Sequence, residues 1–434
     1  MAQPKEKCID LSIVSDKFTE EVLTNILSKA CDDGEEVRLI NWNFDEGFAK
    51  GDYYTSSINK GSVNGIIDDS LGQQRVQVNF IVKAMPKNVG RRKTLRSTDF
   101  FRNEIIFYTE VAPRFEEFLA GKGQSNFLRI PRHLASLTDG ENDFLALEDA
   151  TCLGFGPASR QNCLDWAECT VILKTMAKFH ATSFAYKDQR KQEFAEIAGR
   201  LEEAIFSRNY WNWYKNYLKS LLKVAKHALA TEYPGSKAEK YFNSYKSSIL
   251  YDKCTELCSR KDAPTSVVCE GDCWAPNFLV RDVGQNLKEA LMLDFQLSRC
   301  ASPITDLAFF VYSCTLKSFR DQYFDEILKM YHSELCSAIT LLGSDPENIY
   351  PWDLFMKEVK EQFIFGIVAA LEIIPLSLME VPASFDLDSV FKSNEAVDLA
   401  EVAEFVNIET ASGRQRLADV IVHAVDNGFL PHAA

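Results

Sequence analysis

The sequence feature that most constrains this chain is a predicted hairpin within residues 267–309. Two short apolar runs, residues 278–280 and 290–293, lie on either side of the turn-rich segment 282–286. Apolar runs of strand length that flank a glycine-containing turn are typical of a β-hairpin. Such a hairpin makes the two runs neighbours, so it also decides which polar residues at their ends come together.

Three oxygen-bearing side chains lie at those ends. Asp272 and Asn277 come just before the first run, and Asp294 comes just after the second. Carboxylates that share a partly apolar site are costly unless a positive charge joins them. Mg²⁺ takes oxygen ligands from one or two protein groups and leaves room for phosphate oxygens. The order Asp-x-x-x-x-Asn, strand pair, Asp-Phe is also that of the catalytic and metal-binding elements of phosphoryl-transfer enzymes.

The sequence of this stretch resembles that of small-molecule kinases. It is similar to the Brenner-type motif of aminoglycoside and choline kinases, and GDCWAPN, DFQLSR and SPITDL resemble the ecdysteroid kinase-like family. The resemblance spans roughly residues 40–330. It implies an α+β, bilobal, protein-kinase-like fold with a small N-lobe of antiparallel sheet plus helix and a larger α-rich C-lobe. We expect residues 1–148 to form the nucleotide-binding lobe and residues 149–434 the catalytic and acceptor-binding lobe.

The resemblance also implies cofactors and residue roles. ATP and Mg²⁺ are the implied cofactors, with Asn277 and Asp294 as the metal ligands and Asp272 as the catalytic residue that accepts or orients the proton of an acceptor hydroxyl. Gln296 stands where this family normally has it, after Asp-Phe. Asp306 is implied to tie down the backbone of the catalytic loop, although it is also placed as an ordinary first-turn acid of a helix.

A lysine and a glutamate predict a nucleotide-holding ion pair. Residues 75–85 alternate apolar side chains on one face, which predicts a half-buried strand with Lys83 on the other face. A helix predicted to begin near Ser97 carries Glu104 in an apolar stripe, where a carboxylate is costly without a counter-charge. Lys83 followed by Glu104 is the order of the pair that holds nucleotide phosphates in protein kinases. The alternative is an exposed surface pair.

The resemblance assigns two further segments to the nucleotide. Gly51 lies in a glycine-containing segment before a β-branched run, where bare backbone can approach a ligand closely. The family places its phosphate loop there, although Asp52 departs from the expected amide. Residues 143–149 predict a short apolar strand that resembles the hinge of the family, with backbone near Glu148 binding adenine.

Aromatic residues are dense in residues 206–217, where Tyr210, Trp213, Tyr214 and Tyr217 share a helical face. These side chains either pack the C-lobe or line the acceptor pocket. A flat apolar acceptor such as a steroid would suit aromatic walls.

The most apolar segment, residues 363–379, is interrupted by Glu372 and Pro375. A bilayer requires about 20 apolar residues, so this segment predicts a buried helix and no membrane span. The net charge of −14 over 434 residues argues against a nucleic-acid partner, and the one basic run, in residues 87–96, predicts a solvated loop. The first ten residues lack a signal-like apolar core, so we expect a cytoplasmic protein. The oligomeric state is not indicated.

These features and the resemblance predict an ATP-dependent phosphotransferase that transfers phosphate to an alcohol group of a small acceptor. The favoured acceptor is an ecdysteroid-like steroid or a xenobiotic conjugate. No Ala-Pro-Glu segment follows the hairpin, which favours a small molecule over a protein acceptor. Glu270 departs from the family, which has histidine there, and a third carboxylate near Asp272 would raise a carboxylate pKa. The alternatives are a pseudokinase that binds nucleotide or ligand, and a choline- or aminoglycoside-like kinase with an acidic acceptor cleft.

Overall fold

The computed structural model describes residues 10–29, 36–44, 56–69, 72–158, 163–284, 287–379, 387–402 and 407–430. The chain divides into two compact units. Unit 1 comprises Met1–Ile105, Pro131–Gly154 and Val381–Val397, and unit 2 comprises Ile106–Ile130, Phe155–Glu380 and Asp398–Ala434. A lobe boundary at residue 148 stays a prediction, since this division places a later segment of the chain in unit 1.

Unit 1 is built on a five-stranded antiparallel sheet. Its strands are β1 (Glu36–Phe44), β2 (Ser57–Asp69), β3 (Gly72–Ala84), β4 (His133–Leu137) and β5 (Phe144–Glu148). Their order in the sheet is β1-β2-β3-β5-β4. Its helices are α1 (Glu20–Ser28), α2 (Val89–Leu95) and α3 (Ser97–Ile106), with 3-10 turns at Leu11–Ile13, Ala150–Leu153 and Leu387–Val390.

The alternation predicted for strand β3 is confirmed. Val78, Phe80 and Val82 are buried on one face of the strand. Phe80 meets Phe44 edge to face, with ring centroids 5.8 Å apart, and also lies near Phe18. This apolar face fixes the register of the strand, because a slip by one residue would expose all of these side chains.

The basic segment predicted as a solvated loop instead forms helix α2. The Asn88 side chain caps the helix by accepting the Arg91 N–H at 3.0 Å. The Arg91 guanidinium is buried and donates to Asp388 and to the Ser56 carbonyl oxygen, both at 3.1 Å. The positive charge of Arg91 is therefore paired within unit 1.

Unit 2 is rich in helices. They are α4 (Ala112–Gly121), α5 (Trp166–Gln189), α6 (Lys191–Arg200), α7 (Trp211–Glu232), α8 (Lys237–Asn243), α9 (Ser247–Cys258), α10 (Ile304–Cys314), α11 (Lys317–Leu341), α12 (Pro346–Ile349), α13 (Trp352–Gln362), α14 (Ile364–Leu378), α15 (Leu399–Val402) and α16 (Ala411–Asp426). A π-helical turn covers Phe107–Val111, and 3-10 turns cover Arg208–Tyr210, Ala275–Asn277 and Phe295–Leu297. The predicted α+β class, with a small sheet-plus-helix part and a larger α-rich part, is confirmed.

The strands of unit 2 confirm the predicted hairpin. Strands β8 (Phe278–Gly284) and β9 (Leu287–Met292) pair antiparallel, and β6 (Gly156–Pro157) joins the outer edge of β8. A second small sheet pairs β7 (Val267–Cys269) with β10 (Arg299–Ala301). The two sheets bracket the loops that carry the polar residues of the hairpin.

Helix α14 is the buried helix predicted from the apolar segment. Its Gly366 lies against the backbone of helix α10, where an added Cβ would come within 2.2 Å of the Ala308 carbonyl oxygen. The two helices therefore pack more closely than any larger residue would allow. Among the described residues, no single helix has the length and apolarity to cross a membrane, and one pair, Trp352–Gln362 with Ile364–Leu378, meets that test only jointly, across a 50° bend.

Candidate active site

The three predicted oxygen-bearing residues meet at the open end of the hairpin in unit 2. Asn277 ends the 3-10 turn before strand β8, and its side-chain nitrogen donates to the Asp272 carbonyl oxygen at 2.9 Å. The Trp274 N–H donates to the same oxygen at 2.8 Å. Leu293, just before Asp294, donates its N–H to the Asn277 carbonyl oxygen at 3.0 Å. The backbone of the loop and the end of strand β9 are therefore fixed to each other.

The Asp294 backbone has a left-handed conformation, with φ of 65°. Among the described residues, only Arg96 and Asp294 combine a side chain with positive φ. This conformation is uncommon for such residues and points to a structural or functional constraint. The next residue, Phe295, is buried and stacks on Phe107, with ring centroids 3.6 Å apart and planes 6° apart. The stacked ring anchors the backbone next to Asp294.

The electrostatics of Asp272 reflect its surroundings. Burial, together with the negative charges of Asp294 and Glu372, raises the pKa of Asp272 to about 7. The Asn277 hydrogen bond and the Arg299 charge oppose this rise. A carboxyl group with a pKa near the working pH is suited to take up a proton.

The backbone of the loop is held by a network centred on Asp306. Asp306 is buried on helix α10 and accepts the Glu270 N–H at 2.7 Å and the Gly271 N–H at 3.1 Å. His180, on helix α5, lies 3.1 Å from the same carboxylate and 2.7 Å from the Tyr331 hydroxyl. These are the contacts that a loop-supporting role for Asp306 requires. His180 is a buried core residue with two polar contacts.

Cys269 adds a sulfur to this network, within 4.8 Å of the ligand atoms of His180 and Asp306. Because Asp306 already accepts two backbone N–H groups, we assign the three residues to loop support and not to a metal.

Glu270 is fully buried, and its carboxyl group faces the loop backbone. Its Oε2 accepts the Asp272 N–H at 2.9 Å. Burial, then the charges of Asp272 and Asp306, raise the pKa of Glu270 well above its usual value, so its uncharged form is favoured. The residue at the usual histidine position therefore lies under the loop and holds the backbone of Asp272.

Arg299 is a site residue that the sequence did not reveal. Its guanidinium donates to the carbonyl oxygens of Gly271 at 3.1 Å and Leu297 at 3.2 Å, and it pairs with Glu203 at 3.2 Å. Gly271 has φ of 92°, and a Cβ there would come within 2.0 Å of the Leu297 carbonyl oxygen. Arg299 therefore joins two loops that approach each other through bare backbone. An arginine within an apolar strand was the available signal.

The predicted ion pair of unit 1 is present. Lys83 Nζ lies 2.7 Å from Glu104 Oε1, and both side chains are buried. The pair joins strand β3 to helix α3, so the exposed-pair alternative does not describe it. A buried ammonium with a fixed carboxylate partner has a defined position.

The remaining predicted residues have simpler surroundings. Gly51 lies outside the described residues. Glu148 ends strand β5, where its N–H donates to the Arg132 carbonyl oxygen, and the Asp149 N–H donates to that of Asn79. A base bound at this edge would therefore use other backbone groups. Gln296 lies in the 3-10 turn after Asp294.

The aromatic segment differs in part from its prediction. Helix α7 begins only at Trp211, so Tyr210 lies before it. Tyr214 and Tyr217 are buried, and their hydroxyls donate to the Glu372 carboxylate at 2.7 Å and 2.9 Å. A glutamate inside the most apolar segment was the signal for this contact, because such a group needs donors.

The donor set at the hairpin fits Mg²⁺. The Asn277 amide nitrogen donates to the loop backbone, so the amide oxygen is the atom that would hold a metal ion. Asp294 offers a carboxylate whose charge acts on Asp272. Carboxylate and amide oxygens are hard ligands of the kind that Mg²⁺ prefers.

Comparisons with known proteins give one family and several distant structures. A Plasmodium vivax ethanolamine kinase is 14% identical over 77% of this chain and 75% of that chain, with a TM-score of 0.35. Wild-type aminoglycoside 2'-phosphotransferase-IIIa in its GDP complex is 11% identical over 82% and 90%, with a TM-score of 0.34. A glucosamine kinase is 10% identical over 95% and 84%, with a TM-score of 0.36. With TM-scores this low, these likenesses carry no argument about the chain.

No curated protein matches the sequence. The family comparison is more informative, because it matches residues 50–344, which contain Lys83, Glu104 and the whole hairpin site. The predicted resemblance is confirmed: the chain belongs to the ecdysteroid kinase-like family.

Proposed function

We propose that this protein is an ATP-dependent kinase that phosphorylates a hydroxyl group of a small molecule. Membership of a kinase-like family supports a phosphotransferase. The observation that carries the proposal is the hairpin site, where the Asn277 side chain and the Asp272 backbone are bonded to each other and Asp294 acts on the Asp272 carboxyl group. Phosphoryl transfer requires such positioned oxygen ligands beside a proton acceptor.

Each residue has a role in this proposal. Lys83 binds nucleotide phosphates, and Glu104 fixes the position of its ammonium group. Asn277 and Asp294 hold Mg²⁺, which when bound neutralises phosphate charge. Asp272 orients the acceptor hydroxyl and takes its proton, for which a pKa of about 7 is suited. Asp306 and Glu270 keep the Asp272 backbone in place.

We further propose an ecdysteroid-like steroid or a xenobiotic conjugate as the acceptor. Support comes from the aromatic side chains near Tyr214, where Phe206, Tyr217 and Tyr251 lie within 6 Å between ring centroids. Flat aromatic surfaces favour a rigid apolar ligand. The alternative choline- or aminoglycoside-like acceptor requires an acidic group, and Glu372 is one such group beside the same tyrosines.

The test is turnover of Mg·ATP with a panel of acceptors by the full chain. A polyhydroxylated steroid, choline, ethanolamine and kanamycin form the panel, and phosphorylated product is measured by mass spectrometry. Asp272→Asn should lower kcat by roughly a hundredfold or more, the effect of removing a general base. Asp282→Asn is the matched control, because the Asp282 side chain lies in the same hairpin and is 78% exposed.

The pseudokinase alternative makes the opposite prediction. Mg·ATP would then bind with no phosphorylated product from any acceptor, and Asp272→Asn would leave nucleotide affinity unchanged. Equal activity in wild type and Asp272→Asn would also contradict the proposed role of Asp272.

A further inference from the structure

Glu372 combines features that packing alone does not require. It is the acidic residue of the apolar helix α14, and it is only partly buried although its neighbours along the helix are buried. Tyr214 donates to its Oε2 and Tyr217 to its Oε1, so each carboxylate oxygen has one protein donor. A carboxylate oxygen accepts more than one hydrogen bond, so both oxygens retain capacity for a ligand.

The helix face that carries Glu372 is turned toward the catalytic loop. Phe365 lies seven residues earlier on helix α14, which is two turns, so the two side chains share a face. The Arg299 guanidinium lies over the Phe365 ring, 5.4 Å from its centroid. The same guanidinium donates to the Gly271 carbonyl oxygen, next to Asp272.

An aromatic cluster connects this face to helix α7. The Phe206 ring meets Phe365 at 5.4 Å and Tyr214 at 5.9 Å between centroids. The positions of Tyr214 and Glu372 are therefore fixed by packing on both helices.

We propose that Glu372, held by Tyr214 and Tyr217, binds a hydrogen-bond-donating group of the acceptor, either a hydroxyl or an ammonium, and orients the acceptor toward Asp272. Glu372 is then the specificity-determining residue of the site. A carboxylate among aromatic rings suits both a polyhydroxylated apolar molecule and an alkylammonium alcohol. The inference rests on the proposed function for the reaction, but not for the binding.

The experiment measures binding separately from turnover. Isothermal titration calorimetry on the full chain with Mg·ADP present gives the Kd of a polyhydroxylated steroid, ethanolamine, choline and kanamycin. Glu372→Gln should raise the Kd of the bound acceptor by roughly tenfold to a hundredfold, which corresponds to the loss of a charge-assisted hydrogen bond. The Kd of Mg·ADP should be unchanged. An ammonium acceptor should lose more affinity than an uncharged steroid, because only the ammonium loses an ionic partner.

A matched control separates ligand binding from structural support. Tyr233→Phe removes the hydrogen bond from the C-cap residue of helix α7 to the Asp419 carboxylate, and it should leave acceptor affinity unchanged. The double variant Tyr214→Phe/Tyr217→Phe leaves the carboxylate without its two protein donors and should change acceptor affinity in the same assay. Thermal unfolding of every variant shows which of them are folded.

Two results would overturn the inference. One is an unchanged acceptor Kd in Glu372→Gln with a lowered Tm, which would make Glu372 a structural tie between helices. The other is the absence of binding by every panel compound to the wild type. Acceptor binding that depends on Glu372 without any phosphorylated product would instead refute the proposed function and leave this inference standing.

Discussion

At the residue scale, Glu270 acts on the site through the backbone. Its buried carboxyl group accepts the Asp272 N–H at 2.9 Å, while Asp306 accepts the N–H groups of Glu270 and Gly271. Three successive N–H groups of the loop thus bind two carboxyl groups. The structure therefore gives the departure from histidine a positioning role that needs no charge.

The first prediction separates that role from a charge effect. Glu270→Gln keeps an oxygen that accepts the Asp272 N–H, so most of kcat should remain. Glu270→Ala frees the N–H and should lower kcat by roughly tenfold to a hundredfold, because small displacements of a catalytic group are costly. Steady-state kinetics on both variants give kcat and KM, and equal losses in the two would show that a charge effect of the carboxyl group matters and not the hydrogen bond.

The second prediction concerns the Lys83–Glu104 pair. Lys83→Met leaves the buried Glu104 carboxylate without this partner and should lower the free energy of unfolding by about 3–5 kcal/mol. Lys83→Met/Glu104→Gln should recover part of that stability, since no unpaired charge remains. Both variants should lose ATP affinity, measured by calorimetry. Recovery of ATP binding in the double variant would contradict the phosphate-binding role of Lys83.

At the element scale, the loop that carries Asp272 depends on a close approach of two backbones. Gly271 has φ of 92°, and its Cα faces the Leu297 carbonyl oxygen of the turn after Asp294. The loop and the turn can therefore meet only if this position lacks a side chain. Arg299 joins the same two segments by donating to both.

The third prediction uses two glycines with similar φ. Gly271→Ala combines left-handed strain with a clash, so it should cost more than about 2 kcal/mol in stability and reduce kcat strongly. Gly284→Ala, at φ of 88° with no atom within 4 Å of the added Cβ, should cost only about 1 kcal/mol and retain activity. Chemical denaturation and kinetics compare the two variants. Equal effects would show that the loop does not depend on the absence of a side chain at Gly271.

At the scale of the whole molecule, the pH dependence of stability reflects buried groups whose pKa values are shifted in opposite directions. Burial lowers the pKa of His423 to about 3, where its ring bonds the Tyr312 hydroxyl at 3.0 Å and lies near Phe324. The unfolded chain binds this proton near the usual pKa, so unfolding becomes easier as pH falls below that value. Asp272 and Glu372 have raised pKa values and act in the opposite sense.

The fourth prediction isolates the histidine by difference. His423→Gln keeps a partner for Tyr312 but cannot titrate. Between pH 7 and pH 5 the wild type should lose about 2 kcal/mol more stability than the variant, since each pH step below the unfolded pKa counts 1.36 kcal/mol. Urea denaturation at both pH values gives the two differences. Identical pH dependence would show that His423 takes up its proton over the same pH range in the folded and unfolded chains.

Local pattern was enough to predict much of this chain. The alternation in strand β3, the hairpin β8–β9, the start of helix α3 at Ser97 and the buried helix α14 follow from periodicity and turn residues that act over a few positions. The order of Asp272, Asn277 and Asp294 around one hairpin was also readable, because a hairpin joins residues close in sequence.

Contacts between distant parts of the chain were decided by the tertiary structure. Glu372 meets Tyr217 across 155 residues, and Arg91 meets Asp388 across 297 residues. No periodicity specifies such pairs, since they depend on how helices and strands pack. The sequence by itself determined most of the local elements and which oxygen-bearing residues the hairpin brings together. Packing decided which charges are buried together, because burial and pairing arise only when separate elements meet.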